Sequence, residues 1–568
     1  MKVLLTAINS KYIHTNLAVR YLKEFAKGKT NSEIEIAEYT INNREEQVFD
    51  EIYKKKPDVL CFSAYIWNIE MIKGLCADLK KVLPETIFVV GGPEISFESE
   101  SFLQKNSSID ILILGEGEET FLQLVLALEN KESLEKVNGL MINGEKIIKT
   151  PPRREMPMEL LPFPYPDIDA LDGKILYFET QRGCPFSCSY CLSSVSRKVR
   201  LMPMELVKSR LDIFLSHKVR QVKFVDRTFN ADKNHALEIW KYLKEKDNGI
   251  TNFHFEITAN ILNKEAIEFL KTVRPGLFQL EIGVQSTNEE TLKAVSRNPK
   301  TKELLEICKE LDKPKNIHRH LDLIAGLPYE DFASFRKSFN DVFSAHPQQL
   351  QLGFLKVLRG SKMFLDAKKY GIVYKDKPPY ETLKTSFLSY DEVLSLKACC
   401  EMVESYYNSG RFINTLTELL KEESSPFDFF LELGEFFVSN SYHLKANTKE
   451  AMHEILKSFF EGRYKPYDEK ILCCSYFDIC LHEKPRKLPS FLTREIEKED
   501  KEKIIQFFKD KEGFKKLILD AEEKEISFSS KSYFVGVFPF EGKKTFVLFD
   551  YTKRDLWGNA SFKILLDF

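Results

Sequence analysis

The sequence predicts an α/β protein in three parts. A Rossmann-like parallel sheet covers residues 1–150, a partial (β/α)6 TIM-like barrel covers 174–375, and a mainly helical, then mixed, C-terminal domain covers 376–568. Three observations carry this. Short apolar runs alternate with amphipathic stretches in two successive series, a proline-rich segment at 151–173 separates the series, and the alternation ends near 375. At about 150 residues per domain, a chain of 568 residues has room for all three parts.

In the first series the runs are VLLTAI (3–8), EIEIAEY (33–39), VLCFSAY (59–65), IFVVGG (87–92) and IDILILG (109–115). Between them, LAVRYLKEFA and MIKGLCADLKKVL place apolar residues at helical spacing, so a parallel sheet covered on both faces is expected. GLMINGEKIIKT, with Asn143-Gly144 at its centre, reads as a closing hairpin. Six prolines between 151 and 168 exclude a regular element there. The second series is ILYFETQ (175–181), QVKFVD (221–226), NFHFEIT (252–258), LFQLEIGV (277–284), HLDLIAG (320–326) and LQLGFLKV (350–357). Six strand–helix units fit an incomplete parallel barrel, whose site belongs at the carboxyl ends of its strands. Residues 390–460 read as mainly helical, and 524–568 hold strand-like runs (YFVGVFPF, TFVLFDY, SFKILLDF).

Composition narrows the function classes. Lys plus Arg (83) nearly balance Asp plus Glu (85), so no overall electrostatic footprint for a polyanion is present. No run approaches the roughly 18 apolar residues of a membrane span, and the first residues read as a strand, not an export signal. Eleven cysteines in a chain this large, without an export signal, point to thiols and metal ligation in the cytoplasm.

The cysteines with chemical meaning follow the first barrel strand, in TQRGCPFSCSYC. Cys184, Cys188 and Cys191 form C-x3-C-x2-C, and three thiolates on one short loop suit a cubane that keeps one iron without a protein ligand. A zinc site would want a fourth Cys or His nearby, and the nearest downstream candidate is His217 in a helical stretch. Buried structural thiols are the remaining alternative. For Cys399-Cys400, Cys473-Cys474 and Cys480, buried thiols fit better than a second cluster, because no compact four-ligand set appears.

With Tyr190 just before the third cysteine, this segment resembles the radical S-adenosylmethionine (SAM) superfamily. The resemblance implies a 4Fe–4S cluster on the three cysteines, with SAM chelating the open iron. One electron then breaks a carbon–sulfur bond to give a 5′-deoxyadenosyl radical. FVDRTFN (224–230), FHFEITAN (253–260), LEIGVQS (280–286) and LIAGLPYED (323–331) look like the superfamily's nucleoside-binding strand ends. The resemblance thus implies SAM contacts from Tyr190, Asp226, Glu256, Gln285, Gly326 and Leu327. Strand ends capped by turn-forming or polar residues would look the same. No catalytic residue beyond the cluster ligands is singled out.

The first domain adds a second cofactor. Its strands end in Ser63-Ala64-Tyr65, Gly91-Gly92-Pro93-Glu94 and Gly115-Glu116-Gly117-Glu118-Glu119-Thr120, at the sheet edge where open α/β sheets bind ligands. This pattern looks like the cobalamin-binding domain fused to one branch of the superfamily. It implies cobalamin contacts from Ser10, Lys11, Ser63, Tyr65, Gly91, Gly92, Pro93, Gly115 and Glu116. The loop after the first strand departs from D-x-H-x-x-G: Lys11 stands where a cobalt-ligating histidine would be, and His14 falls at a helix start. Only Cys61 and Cys76 lie in this domain, too few for the second cluster of the methylthiotransferase branch.

The resemblance implies methylation of an unactivated carbon. The alternatives are a cobalamin-dependent cyclisation, rearrangement or oxidative step and, from another class, a non-catalytic cobalamin sensor. A low-potential donor such as flavodoxin or ferredoxin is expected, with a small-molecule substrate ahead of nucleic acid and no membrane insertion. The C-terminal domain is expected to close over the barrel mouth and shape the substrate pocket.

Overall fold

Strands form at the apolar runs. The computed structural model describes residues 1–298, 300–492, 496–510, 514, 532–540, 543–555 and 558–565. In chain order the first strands are β1 (Lys2–Asn9), β2 (Glu33–Thr40), β3 (Val59–Ser63), β4 (Ile87–Gly91), β5 (Ile111–Ile113), β6 (Leu140–Ile142) and β7 (Ile148–Lys149). They build one sheet in the order β2-β1-β3-β4-β5-β6-β7. The first five run parallel, and β6 and β7 return antiparallel as the expected hairpin. Alternate residues feed two cores, one on each face: Leu4, Leu60 and Phe88 on one side, Leu5, Cys61 and Val89 on the other. The order 2-1-3-4-5 reverses direction between β1 and β3, which opens a crevice at their carboxyl ends. Asn68, 1% exposed, fixes that crevice by donating from Nδ2 to the carbonyls of Ile8 and Ser63, each at 2.9 Å.

The proline-rich segment has only short 3-10 turns, Met158–Leu160 and Ile168–Leu171, but it is packed rather than free. Tyr165 is 1% exposed, and its hydroxyl accepts from the Tyr177 amide and donates to the Tyr177 carbonyl, both at 2.7 Å. Burial of Met156, Met158, Leu161 and Ile168 explains why a segment without regular structure is held in place.

The second sheet comprises β8 (Ile175–Phe178), then β11 (Gln221–Phe224), β12 (Asn252–Ile257), β13 (Phe278–Gln285), β14 (His318–Ala325) and β15 (Gln349–Phe354). Between β8 and β11 lies a two-stranded antiparallel pair, β9 (Gln181–Arg182) with β10 (Arg200–Leu201). The sheet order β15-β14-β13-β12-β11-β8 follows the chain, as a partial barrel requires. Its outer face is aromatic: Phe224 and Phe255 pack at 4.5 Å, and Phe255 meets Trp240 of the helix Lys233–Glu245 edge-on.

The chain divides into two compact units, one of residues 1–338 with 353–390, the other of 339–352 with 391–568. A further short pair, β16 (Val373–Tyr374) and β17 (Thr382–Lys384), belongs to the first unit. The second unit is helical, including Tyr390–Met402, Pro426–Ser439, Lys449–Arg463 and Glu469–His482, followed by an antiparallel sheet of β18 (Tyr533–Phe540), β19 (Lys543–Arg554) and β20 (Ala560–Leu565). The expected run at 561–568 is strand through Leu565, and its last three residues lie outside the described ones, as do 521–531. Cys399 and Cys480 are fully buried, and Cys473 and Cys480 pack among Phe477, Phe534 and Phe549 as apolar side chains. No helix among the described residues is long and apolar enough to cross a membrane.

Candidate active site

The cysteine loop leaves β8 through Glu179 and Thr180, and its entry is fixed by Asp226 at the end of β11. Asp226 is fully buried, and its Oδ1 accepts from the amides of Thr180 (2.9 Å) and Gln181 (2.5 Å) and from the Thr180 hydroxyl (3.2 Å). Burial pushes its carboxyl up to about 8 despite those donors, so the neutral form prevails at pH 7. Gly183 takes φ +100°, and a Cβ there would lie 2.1 Å from the Lys198 carbonyl oxygen, so only glycine lets the loop double back. The loop is then pinned by backbone hydrogen bonds from the Cys184 amide to the Ser196 carbonyl (2.9 Å), from the Ser189 amide to the Val295 carbonyl (3.0 Å) and from the Met363 amide to the Ser189 carbonyl (2.7 Å).

Cys184 and Cys188 are each 7% exposed, and Cys191 is half-buried. The Cys184 sulfur lies 3.6 Å from the Thr228 hydroxyl. Arg297 donates from Nη1 to the Cys188 sulfur (3.6 Å) and to the Tyr190 hydroxyl (3.3 Å), and from Nη2 to the Gly283 carbonyl. His217 is engaged by Asp169 at 2.6 Å, which does not suit a fourth zinc ligand. Three thiols spread around one loop, with a guanidinium donating to one of them, suit a larger, negatively charged iron–sulfur cluster.

Arg182, next to that loop, carries a charge network that joins the two sheets. Its guanidinium contacts Glu118 (2.6 Å), Glu179 (2.7 Å) and Glu116 (3.4 Å), and Arg200 also pairs with Glu116. The acidic GEGEE turn of the first sheet is therefore bound to both arms of the cysteine loop.

Between the sheets lies a cavity of about 780 Å³. Its walls include Ser10, Ser63, Tyr65, Gly91, Gly92, Pro93, Gly115 and Glu116 from the first sheet's edge, and Tyr177, Arg182, Gly183, Lys223 and Glu256 from the barrel side. Gly92 has φ +126°, and a Cβ there would stand 2.3 Å from the Ala64 carbonyl oxygen. Tyr65 and Trp67 stack at 4.5 Å in the same wall. Tyr21 also lines the cavity, and its buried hydroxyl has no hydrogen-bond partner among the described residues. These residues fit a bulky ligand with polar groups such as cobalamin.

Of the residues expected there, Lys11 is exposed and is not in the wall, because its turn projects outward. His14 takes a place in the wall instead, with Nδ1 2.7 Å from the Tyr177 hydroxyl. Among the expected SAM contacts only Glu256 lines this cavity. Burial and the Glu281 charge push its carboxyl up to about 6. Gln285 sits at a β-bulge with φ +74° and a buried Oε1 that has no hydrogen-bond partner. Gly326 (φ +87°) faces Thr382, and Leu327 is fully buried with Val295, Leu355 and Met363, against which Tyr190 packs. Asp226 is committed to the loop backbone as described.

Sequence reasoning did not single out Arg182, Arg297 or the Tyr177–His14 contact. It also passed over the inner face of the barrel sheet. β13 alternates buried Phe278, Leu280, Ile282 and Val284 with Gln279, Glu281, Gly283 and Gln285, and β12 and β14 do the same with His254, His320 and Asp322. That polar alternation is readable in FHFEI, FQLEIGVQ and HRHLDL.

Comparison with known proteins agrees with this arrangement. Residues 3–125 match the B12 binding domain, 178–342 the radical SAM superfamily, and 368–555 a family described as protein of unknown function DUF4080. The chain is 27% identical over 310 residues to a 2-(S-pantetheinyl)-carbapenam-3-carboxylate methyltransferase of Streptantibioticus cattleyicolor, covering 51% of this chain and 45% of that protein. It is 24% identical over 340 residues to the anaerobic magnesium-protoporphyrin IX monomethyl ester cyclase of Rubrivivax gelatinosus, covering 56% of this chain and 60% of that one. It thus spans about half the length of the curated relatives it matches. The fold resembles the cobalamin-dependent SAM radical enzyme OxsB with aqua-cobalamin and SAM bound, with TM-score 0.58, 17% identity, 84% of this chain and 78% of that chain covered.

Proposed function

We propose that this chain, a radical SAM protein with a B12-binding domain, methylates an unactivated carbon of a small molecule held in the cavity between its two sheets. The observation that carries the reading is that one cavity borders both candidate sites: Gly91, Gly92 and Gly115 open onto it from one side, and Arg182 and Gly183 at the root of the cysteine loop from the other.

Bound there, the cluster, SAM and cobalamin supply the electron, the 5′-deoxyadenosyl group and the methyl carrier. Cys184, Cys188 and Cys191 would hold the cluster, and the Arg297 guanidinium, donating to Cys188, offsets negative charge on its sulfur. Gly92 leaves room for a ring system to approach the edge of the first sheet. Arg182, bridging Glu179 to Glu118, holds the loop against that edge. Glu256, its carboxyl pushed up to about 6 by burial and the Glu281 charge, and the His14–Tyr177 pair give the cavity groups that can orient a polar substrate. The near-balanced composition fits a small substrate better than a long polyanion.

The C-terminal domain is assigned substrate shaping, and a flavodoxin- or ferredoxin-like protein the supply of electrons. The likeness to a cyclase keeps a second reading in view, in which the radical chemistry closes a ring without methyl transfer. Anaerobic turnover with candidate small molecules decides between them. Methylation yields S-adenosylhomocysteine and 5′-deoxyadenosine together with a product 14 mass units heavier, roughly one added CH2. Deoxyadenosine with an unmethylated, altered product refutes methylation.

A further inference from the structure

The inner face of the barrel sheet holds a group of side chains with no place in the chemistry above. Glu281 on β13 and His320 and Asp322 on β14 bring one ligand atom each within 4.8 Å of one another. His254 on β12 stands next to Glu281 but outside that mutual distance, its Nε2 3.0 Å from Glu281 Oε2, and His320 Nε2 lies 3.1 Å from Asp322 Oδ1.

Both histidines are 7% exposed. Although these atoms are close, His254 Nε2, His320 Nε2 and Asp322 Oδ1 are all buried without a hydrogen bond of acceptable direction. Three such atoms on β12 and β14, the strands that flank β13, are a costly arrangement for an interior unless something is bound there. The spacing, ordinary for His–carboxylate pairs, also suits a single ion. Donors bonded at about 2.0–2.2 Å to a single ion stand roughly 3 Å apart, close to the separations seen here.

We propose that His254, Glu281, His320 and Asp322 form a binding site for one divalent first-row metal ion inside the barrel. Two imidazoles and two carboxylates without a thiolate are a donor set for zinc, iron(II) or manganese, and two carboxylate charges balance a dication. Lys223 donates to Glu281 Oε2 at 3.0 Å and so orients the carboxylate, as hydrogen bonds to metal-binding carboxylates commonly do. Lys223 and Glu256 on the same face also line the large cavity, so an ion here would stand beside whatever fills it. The site rests on this geometry alone and holds whether or not methylation is the reaction.

Zinc is the probe. Full-length protein carrying its cluster and cobalamin is dialysed against Zn²⁺, and bound zinc and iron are counted by mass spectrometry. One zinc per chain is expected, weakened at least tenfold in His320→Ala and in His254→Ala with iron content unchanged. X-ray absorption at the zinc edge of the wild type is expected to show nitrogen and oxygen donors only. Zinc uptake that is absent from the wild type, or equal in the double variant His254→Ala/His320→Ala, overturns the proposal. So does sulfur scattering at the zinc, whatever the variants do.

Discussion

Replacing Arg182 by Gln tests the charge network that ties the cysteine loop to the first sheet. The guanidinium is 17% exposed and meets Glu118 (7%), Glu179 (11%) and Glu116 (24%). Without it, three carboxylates converge in a poorly hydrated place. Removing one partner of such a buried set costs about 3–5 kcal/mol. Glu118→Gln is milder, at about 1.5 kcal/mol, because it removes one charge-assisted bond and leaves Arg182 with two carboxylates. If the loss falls on local opening of the loop, amide exchange there speeds up tenfold for each 1.36 kcal/mol, or roughly two to four orders of magnitude. Hydrogen-exchange mass spectrometry on cluster-free protein, reading peptides across 179–200, measures this. A rise of less than tenfold in Arg182→Gln, or an equal rise in Glu118→Gln, would refute the claim that Arg182 fastens the loop.

Further outcomes follow from single residues. Gly92→Ala places a Cβ 2.3 Å from the Ala64 carbonyl oxygen at φ +126°, so cobalamin affinity should fall at least tenfold; unchanged uptake in a titration contradicts the assigned cavity wall. Burial raises Asp226 from its ordinary 3.8 to about 8, so the fold favours the proton. Its contribution to stability is complete below the unfolded value near 3.8 and is lost as pH rises through about 8. Asp226→Asn mimics the neutral form and should flatten the decline in melting temperature between pH 6 and 9; identical slopes in the two proteins would show that Asp226 is already ionised. A chain ending at residue 390 should keep iron binding and deoxyadenosine formation but lose methylated product, whereas loss of the cluster itself argues against substrate shaping by the remainder.

Much of the architecture was legible because its signals are local. All five runs of the first series and all six of the second become strands, since each is a short β-favouring stretch between amphipathic helices. The cysteine spacing and the glycines at strand ends were readable for the same reason. What escaped depends on residues far apart in sequence. Arg182 meets Glu118 across 64 positions, and His14 meets Tyr177 across 163. Lys11 and His14 lie in one turn, and only the packing of Ile13 and His14 against Ile175 decides which of them faces the cavity. Asp226 was expected beside SAM, but its burial and its bonds to Thr180 and Gln181 come from the docking of β11 against β8, which no local pattern reports.

The most direct test of the central claim is reductive cleavage by the reconstituted protein. Under anaerobic conditions with dithionite, SAM and cobalamin, the wild type should release 5′-deoxyadenosine and Cys188→Ala should release none. Equal amounts from both proteins, or none from a wild type whose iron and sulfide content shows a full cluster with substrate candidates present, would contradict it.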